Sequence, residues 1–512
     1  MLDPSIMQPQ MLGDPAFDWC GVAAVARGAP LVLPPVARAR IVNARAIVDQ
    51  LVLLGERVYG INTGLGALCE TVLPPEQLVR LSSNTLQSHA CGIGEPLGVD
   101  LTRAVLCAAL QNFALGRSGI SPAVFDQLLA WLNRGLTPVV PSRGSVGYLS
   151  HMAHMALPLI GLGEAWVEGA RLPAAAALAC VDLEPVALGA KDGLALVNGT
   201  PCMTGLMCMA LDTAWRLARW ADVLGAMSFE ALGGQLAAFG EDVLVSKPHP
   251  GLMASGDNLR RLLAGGDWLA QRQGLRTQDA LSLRCMPQIH GATRDQLMHI
   301  ARQVDIELSS STDNPQVFGT PDAYTVVSQG HPHGQSMAMA ADLLAIAAAE
   351  LASVSERRID RLVNPLVSGL PPFLVQASGV NSGLMIAQYT AASMVAENKV
   401  LAHPMVVDNF VTSALQEDHL SLGTPAALKA LQVLERVETV LAIEYVVAAQ
   451  ALSFLPGEQL AAGTGRALRF LRRVVPPYVE DRVVATDIAA ATALLRDPRG
   501  LEDIEEAIGT LR

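Results

Sequence analysis

The sequence predicts a mainly helical protein: a long central helix bundle with a smaller mixed region towards its N-terminus. Three observations lead there. Aromatic residues are only 4% of the 512 residues, while Ala and Leu are abundant, a composition that favours helices over strands. Met337 to Leu362 runs through more than twenty residues without Gly or Pro, and Gly383 to Leu401 gives another long helix. Hydrophobic residues reach 51% and charged residues only 16%, which excludes a disordered chain. The apolar surplus is expected to form a subunit interface, since that much exposed apolar area would aggregate.

The elements follow in order. Ala29 to Pro35 reads as extended, because its prolines exclude helix. Arg38 to Glu56 has helical spacing. Tyr59 to Gly66 is a Gly-rich loop whose glycines are not spaced as G-x-G-x-x-G, which argues against a dinucleotide site. Ser246 to Gln278 holds Pro248, Pro250, five glycines and clustered arginines, and reads as a surface excursion between core helices. Thr424-Pro425 supplies an N-cap and a first helical residue. The helix it opens is expected to run to Leu455, where Pro456-Gly457 stops it. Thr486-Asp487 reads as the N-cap of a short helix ending before Pro498. Helices of these lengths are roughly 30–45 Å long and suit a bundle. No internal repeat is visible. The organisation expected is an N-terminal mixed α region (1–200), a central long-helix bundle (201–455) and a C-terminal helical tail (456–512).

Charge and cysteine content narrow the function. Thirty-six Lys+Arg against 48 Asp+Glu leave a net charge of −12, which argues against nucleic acid and anionic membranes as partners. The most apolar long stretch, Met337 to Val354, carries Asp342 and Glu350, so it reads as a buried helix rather than a membrane span. The cysteines, Cys20 to Cys285, are scattered without a C-x-x-C pair, as expected of reduced, buried thiols in a cytosolic protein. The opening MLDPSIMQPQ has no basic run before an apolar core, so a cytoplasmic location is expected.

Polar residues gather in Gly-punctuated loops, where chemistry is usually placed. Each loop has an ordinary reading. Asn198-Gly199-Thr200 is a turn signal, Asp313-Asn314-Pro315 a helix stop, Glu417-Asp418 a solvated acidic pair and Tyr59 a core tyrosine. His151 and His154, with His331 and His333, are candidate metal ligands. No carboxylate or cysteine completes a ligand spacing, so no metal is expected.

Together these loops are not generic. YGINTGLG (59–66), SHACGIG (88–94), PSRGSVG (141–147), LVNGT (196–200), SLRCMPQ (282–288), STDNP (311–315), VNSGLMIAQ (380–388) and TSALQEDHLSLG (412–423) resemble the histidine and aromatic amino-acid ammonia-lyase family. The resemblance implies a fumarase/aspartase-like architecture and a homotetramer with shared active sites. It implies elimination of ammonia from a small amino acid, and in the histidine branch conversion of L-histidine to urocanate. It also implies a methylidene-imidazolone electrophile formed autocatalytically from an internal Ala-Ser-Gly. Here Gly147 is followed at once by Tyr148, and both flanks align with the family if that tripeptide stands between them. Either the matured cofactor is one non-standard residue that a one-letter sequence does not write, or the chain is a non-catalytic homologue without it.

Roles are implied residue by residue. Tyr59 matches the general base, Asn198 the asparagine that contacts cofactor and substrate amine, and Arg284 the grip on the substrate carboxylate. His89 and Glu417 match the pair that contacts an imidazole. Met385 would pack against the ring, Gln278 and Gln416 belong to the substrate side, and Gly147, Tyr148 and Gln288 flank the cofactor. The sequence departs from the pattern at Leu281 (family Tyr), Pro332 (family Phe), Leu415 (family Asn) and Tyr148 (family Asp). The alternative expectation is a lyase or 2,3-aminomutase of secondary metabolism acting on another amino acid.

Overall fold

The computed structural model describes residues 8–64, 66–68, 70–456 and 459–512. The first seven residues, Leu65 of the Gly-rich loop, Cys69 and Gly457 of the Pro-Gly stop lie outside the described residues. The architecture is mainly α. Its longest helices are Pro201–Ala231, Met286–Leu308, Gln335–Val363 and Gly423–Leu452. Strands are short and come in small sheets of two or three.

Two compact units are present. The first comprises Met1–Asp212, Ile300–Asp342 and Pro404–Lys429; the second comprises Thr213–His299, Leu343–His403 and Ala430–Arg512. In the first unit, the helix Pro35–Leu54 starts earlier than its spacing suggested. Pro35 occupies the first helical position, where a missing N–H costs nothing. Gly55 then ends the helix in the left-handed conformation. Only Leu31–Val32 of the preceding stretch is a strand, paired in parallel with Gln10–Met11. Ile47, Val48 and Leu51 of this helix bury against Ile61 and Val317. That contact anchors the loop carrying Tyr59 against the hairpin Gln316–Thr320/Ala323–Val327. Elsewhere in the unit, Ile93–Pro96 pairs antiparallel with Pro141–Arg143, bringing the segments 88–94 and 141–147 side by side. Gly144 (φ +123°) comes so close that a Cβ there would stand 3.0 Å from the Gly92 Cα.

The second unit holds two buried ionic clusters. Asp222 accepts from Ser255 Oγ (2.7 Å), His290 Nδ1 (2.8 Å), Arg294 (2.6 Å) and Asn258 (2.8 Å). Glu444 takes Arg358 (2.8 Å), Ser228 (2.7 Å) and Ser355 (2.6 Å). Burial alone would push the Asp222 carboxyl up, but Arg294 and His290 outweigh it and hold it down at about 2. A carboxyl depressed on folding stabilises above its unfolded pKa of ~3.9, and that contribution is lost as pH falls towards 2. Asp222→Ala leaves Arg294 charged, buried and unpaired. It is expected to cost about 3–5 kcal/mol, read as a large drop in denaturant midpoint; an unchanged midpoint would show the cluster to be energetically idle.

Several sequence expectations need correction. The 246–278 stretch is not a surface excursion: its helix Pro250–Leu262 buries Leu252, Leu259 and Leu262 and supplies Ser255 and Asn258 to Asp222. Its prolines and glycines mislead because Pro250 opens the helix and Gly251 is a packing residue. A Cβ at Gly251 would lie 2.1 Å from the Gly291 carbonyl. Thr424 is not an N-cap: the helix already begins at Gly423 and ends at Leu452, while the Thr424 hydroxyl donates to the Gly147 carbonyl. The helix expected from Thr486-Asp487 begins at Val484, with Asp487 in its first turn receiving Arg482 Nε at 2.9 Å. Pro498 opens a further helix, Pro498–Ile508, capped by Asp497. Cys107, Cys202 and Cys208 are buried, but Cys20, Cys91 and Cys180 are exposed, because scattered cysteines carry no burial pattern of their own. Asp342, the charge inside the most apolar helix, accepts Lys429 and the backbone N–H groups of Met405 (2.8 Å) and Val406 (3.0 Å).

Candidate active site

In the first unit the Tyr59 loop borders a cavity of about 500 Å³, whose lining includes Arg57, Asn314, Gln329, Gln416 and Glu417. Tyr59 is half-buried, and its phenolic oxygen receives the Gly66 N–H at 3.5 Å. An asparagine turn shapes the loop: Asn62 accepts from the Val58 N–H (2.9 Å) and donates to the Glu56 carbonyl (2.7 Å).

Asn198 closes the short helix Asp192–Val197. Gly199 then turns at φ +95°, so close to Thr312 that a Cβ would lie 2.8 Å from its hydroxyl. The Asn198 Nδ2 is fully committed, donating to Asp313 Oδ1 (2.9 Å) and to the Asn314 carbonyl (2.8 Å). Only its Oδ1 can therefore address a substrate, as an acceptor. Behind it stands Lys191, 2.6 Å from Asp313 Oδ2, with both side chains fully buried. Gln329 closes the network by donating twice: from Nε2 to the Asp313 carbonyl (2.7 Å) and from its backbone N–H to Asn314 Oδ1 (2.8 Å).

His89 ends the helix Pro75–His89, which packs on Asp192–Val197 and on Leu149–Ala156. The His89 Nδ1 lies 2.8 Å from the Thr85 carbonyl. A carbonyl only accepts, so Nδ1 carries the hydrogen and Nε2 is left as an acceptor. Glu417 and Gln416 sit on a strained segment. Ser413, Ala414 and Leu415 all have positive φ, between 50° and 74°, a conformation non-glycine residues hold only where their surroundings impose it.

Tyr148 is half-buried. Burial, then the charge of Glu417, then Tyr59 and Asp313, push its phenol well up, so its hydroxyl stays protonated. Tyr59 and Glu417 are thus near enough to the Tyr148 phenol to act on it electrostatically. A Cβ on Gly147 would meet nothing nearer than Ser421 Oγ at 4.0 Å, and the Ser150 hydroxyl close by is buried without a partner among the described residues. Room and unpaired polarity at this junction fit a compact polar group such as the family's electrophile.

The second unit holds the remaining predicted residues. Arg284 donates from Nε to the Asp279 carbonyl (3.0 Å), and with the Gln278 oxygen turned towards it NH1 reaches that oxygen at 2.9 Å. Gln288 is the third residue of Met286–Leu308, its Oε1 buried without a partner among the described residues. Met385 opens the helix Met385–Leu401 half-buried. Two Ala-Ser-Gly tripeptides also occur in this unit, and both are otherwise employed. In Ala254-Ser255-Gly256 the backbone is helical and the serine is bound to Asp222. In Ala377-Ser378-Gly379 the glycine N–H donates to the Asn381 carbonyl (3.2 Å).

Sequence reasoning missed Lys191 and Gln329 and read Asp313 as a helix stop. STDNP carried a signal for Asp313; Lys191 carried none.

The family model for aromatic amino acid lyase matches residues 18–473. The histidine ammonia-lyase of Symbiobacterium thermophilum is 49% identical over 494 residues, spanning 96% of this chain and 97% of that protein. Among solved structures, histidine ammonia-lyase from Trypanosoma cruzi matches with a TM-score of 0.90 at 38% identity, covering 98% of this chain and 96% of that one. Tyrosine aminomutase from Streptomyces globisporus matches with a TM-score of 0.92 at 32% identity, covering 97% and 98%. The chain therefore belongs to the aromatic amino acid lyase family and is a carbon–nitrogen lyase. Its mainly helical, fumarase/aspartase-like fold is the one the sequence predicted.

Proposed function

We propose that this lyase eliminates ammonia from L-histidine to give urocanate, as a cytoplasmic homotetramer. What carries the substrate is that the two residues the resemblance assigns to an imidazole are both acceptors: His89 at Nε2, because its Nδ1 faces the Thr85 carbonyl, and Glu417 through its carboxylate at the cavity. Such a pair suits the imidazolium form of the ring, which presents an N–H to each. The histidine ammonia-lyases among its relatives support the same reading.

The chain's own residues divide the work. Arg284 would hold the substrate carboxylate with its planar fork, and Asn198 Oδ1 would accept from the substrate amine. Tyr59 would take the poorly acidic β-proton, its developing phenolate eased by the Gly66 N–H. Lys191 and Asp313 keep Asn198 in place. The methylidene-imidazolone, when present between Gly147 and Tyr148, would supply an electrophile for the amine; Thr424 and Ser150 would hold its flanks.

Mass spectrometry tests this. The denatured chain is expected to exceed the written sequence by Ala-Ser-Gly less two waters, the native species to contain four chains, and L-histidine to release urocanate absorbance. A denatured mass equal to the written sequence would make the chain a non-catalytic homologue. A second reading, a lyase or aminomutase for another amino acid, is favoured by Leu281 and Leu415, which are 61% and 77% exposed where the family carries polar groups. Product analysis showing a β-amino acid would establish it.

A further inference from the structure

We propose that His333 and His419 form an imidazole clasp that positions Glu417 and Gln416 over the Tyr59 cavity, so that His333 and His419 are positioning residues for substrate capture. The two rings join loops that share that cavity: one carries Gln329, the other Gln416 and Glu417. Their centroids are 5.3 Å apart. His333 Nε2 lies 3.2 Å from His419 Nδ1 and 3.2 Å from the His419 carbonyl. The carbonyl can only accept, so Nε2 carries the hydrogen and His419 Nδ1 is an acceptor too.

The 412–417 segment needs such a hold. Its run of positive φ is unfavourable, and among the described residues its backbone hydrogen bonds lie within its own loop, including the Gln416 N–H donating to the Ser413 carbonyl (3.0 Å). Thr412 and Glu417 exchange backbone hydrogen bonds (2.9 and 3.3 Å), and Asn409 brackets Leu420 (2.9 and 3.1 Å). The clasp fastens it to a second loop. It also has a sign. Protonating His333 keeps the donor, whereas protonating His419 at Nδ1 removes the acceptor and sets two cations face to face. The clasp is therefore lost on the acid side. The charged groups around it are Glu417 and Asp418 on its own loop, His331 on the facing loop with Glu307 near it, and Arg57 and Glu70 at the cavity.

The assignment rests on Glu417 contacting substrate, so its test includes a readout that needs no turnover. Hydrogen exchange at the Thr412, Glu417 and Leu420 amides is expected to speed up in His419→Ala, and the protection of these amides in wild-type protein, corrected for the intrinsic rate at each pH, is expected to fall on the acid side. In kinetics, His419→Ala should raise KM about three- to tenfold, the worth of one lost hydrogen bond, with kcat nearly unchanged. His419→Asn, whose Oδ1 accepts but does not titrate there, should restore KM and remove its acid-side rise. Unchanged exchange in His419→Ala, or an acid limb that persists in His419→Asn, would overturn the clasp. Accelerated exchange without any effect on KM would leave the loop contact standing but overturn its role in substrate capture. If L-histidine proves not to be the substrate, the exchange result still decides the clasp by itself.

Discussion

Replacing Tyr59 by Phe is expected to lower kcat by about 10²–10⁴-fold, the usual worth of a positioned general base, while leaving melting temperature and assembly unchanged. Phenylalanine keeps the ring that packs in the loop, and Ile61, two residues on, still anchors that loop in the core. What is lost is one oxygen, at the edge of the cavity shared with Glu417 and Gln416. The β-proton of an amino acid is poorly acidic, so its removal needs a strong base, and an ordinary phenol is one only as its anion. The Gly66 N–H, 3.5 Å from the phenolic oxygen, is placed to stabilise that anion as it forms. Tyr148, kept protonated by burial and by the charge of Glu417, cannot replace it as the base. Wild-type turnover in Tyr59→Phe would show that the base is another group.

How much of this was legible in the sequence depends on whether a residue's role is local. Gln335–Val363 was readable because an uninterrupted apolar run has few alternatives to a buried helix. Tyr59, Asn198 and Glu417 could be singled out as candidates because each lies in a recognisable motif, and for Asn198 that motif includes the residue that makes its turn, Gly199 at φ +95°. Thr424 was misread because a hydroxyl before a proline is a good cap by itself, and only the fold brings the Gly147 carbonyl to it. Helix Pro250–Leu262 was misread for the same reason: its Gly251 is there for Gly291, distant in sequence. Lys191 has no motif, and its partner Asp313 lies far along the chain. Three consecutive left-handed residues at 413–415 run against local preference, so no pattern announces them.

The second large effect concerns substrate choice. Phenylalanine has the shape of histidine but neither ring nitrogen. In this site it would bury the Nε2 of His89 and the carboxylate of Glu417 against a hydrocarbon face. Sites built to hydrogen-bond a substrate reject the analogue lacking those groups by about 10⁴–10⁵ in kcat/KM, and a similar preference for L-histidine over L-phenylalanine is expected here. Glu417→Ala should remove most of that preference by loss of activity on histidine. It should hardly change the binding of a simple carboxylate analogue, which addresses Arg284 instead. His89→Phe should act in the same direction, because its Nε2, fixed as an acceptor by the Thr85 carbonyl, is the other half of the pair. The comparison that decides is kcat/KM for both amino acids in wild type and in Glu417→Ala. If the wild type discriminates strongly and the variant does not, the imidazole is read by these two acceptors. If the wild type turns over phenylalanine as readily as histidine, Leu281 and Leu415 have made the pocket one that reads shape rather than hydrogen bonds, and histidine is not its dedicated substrate.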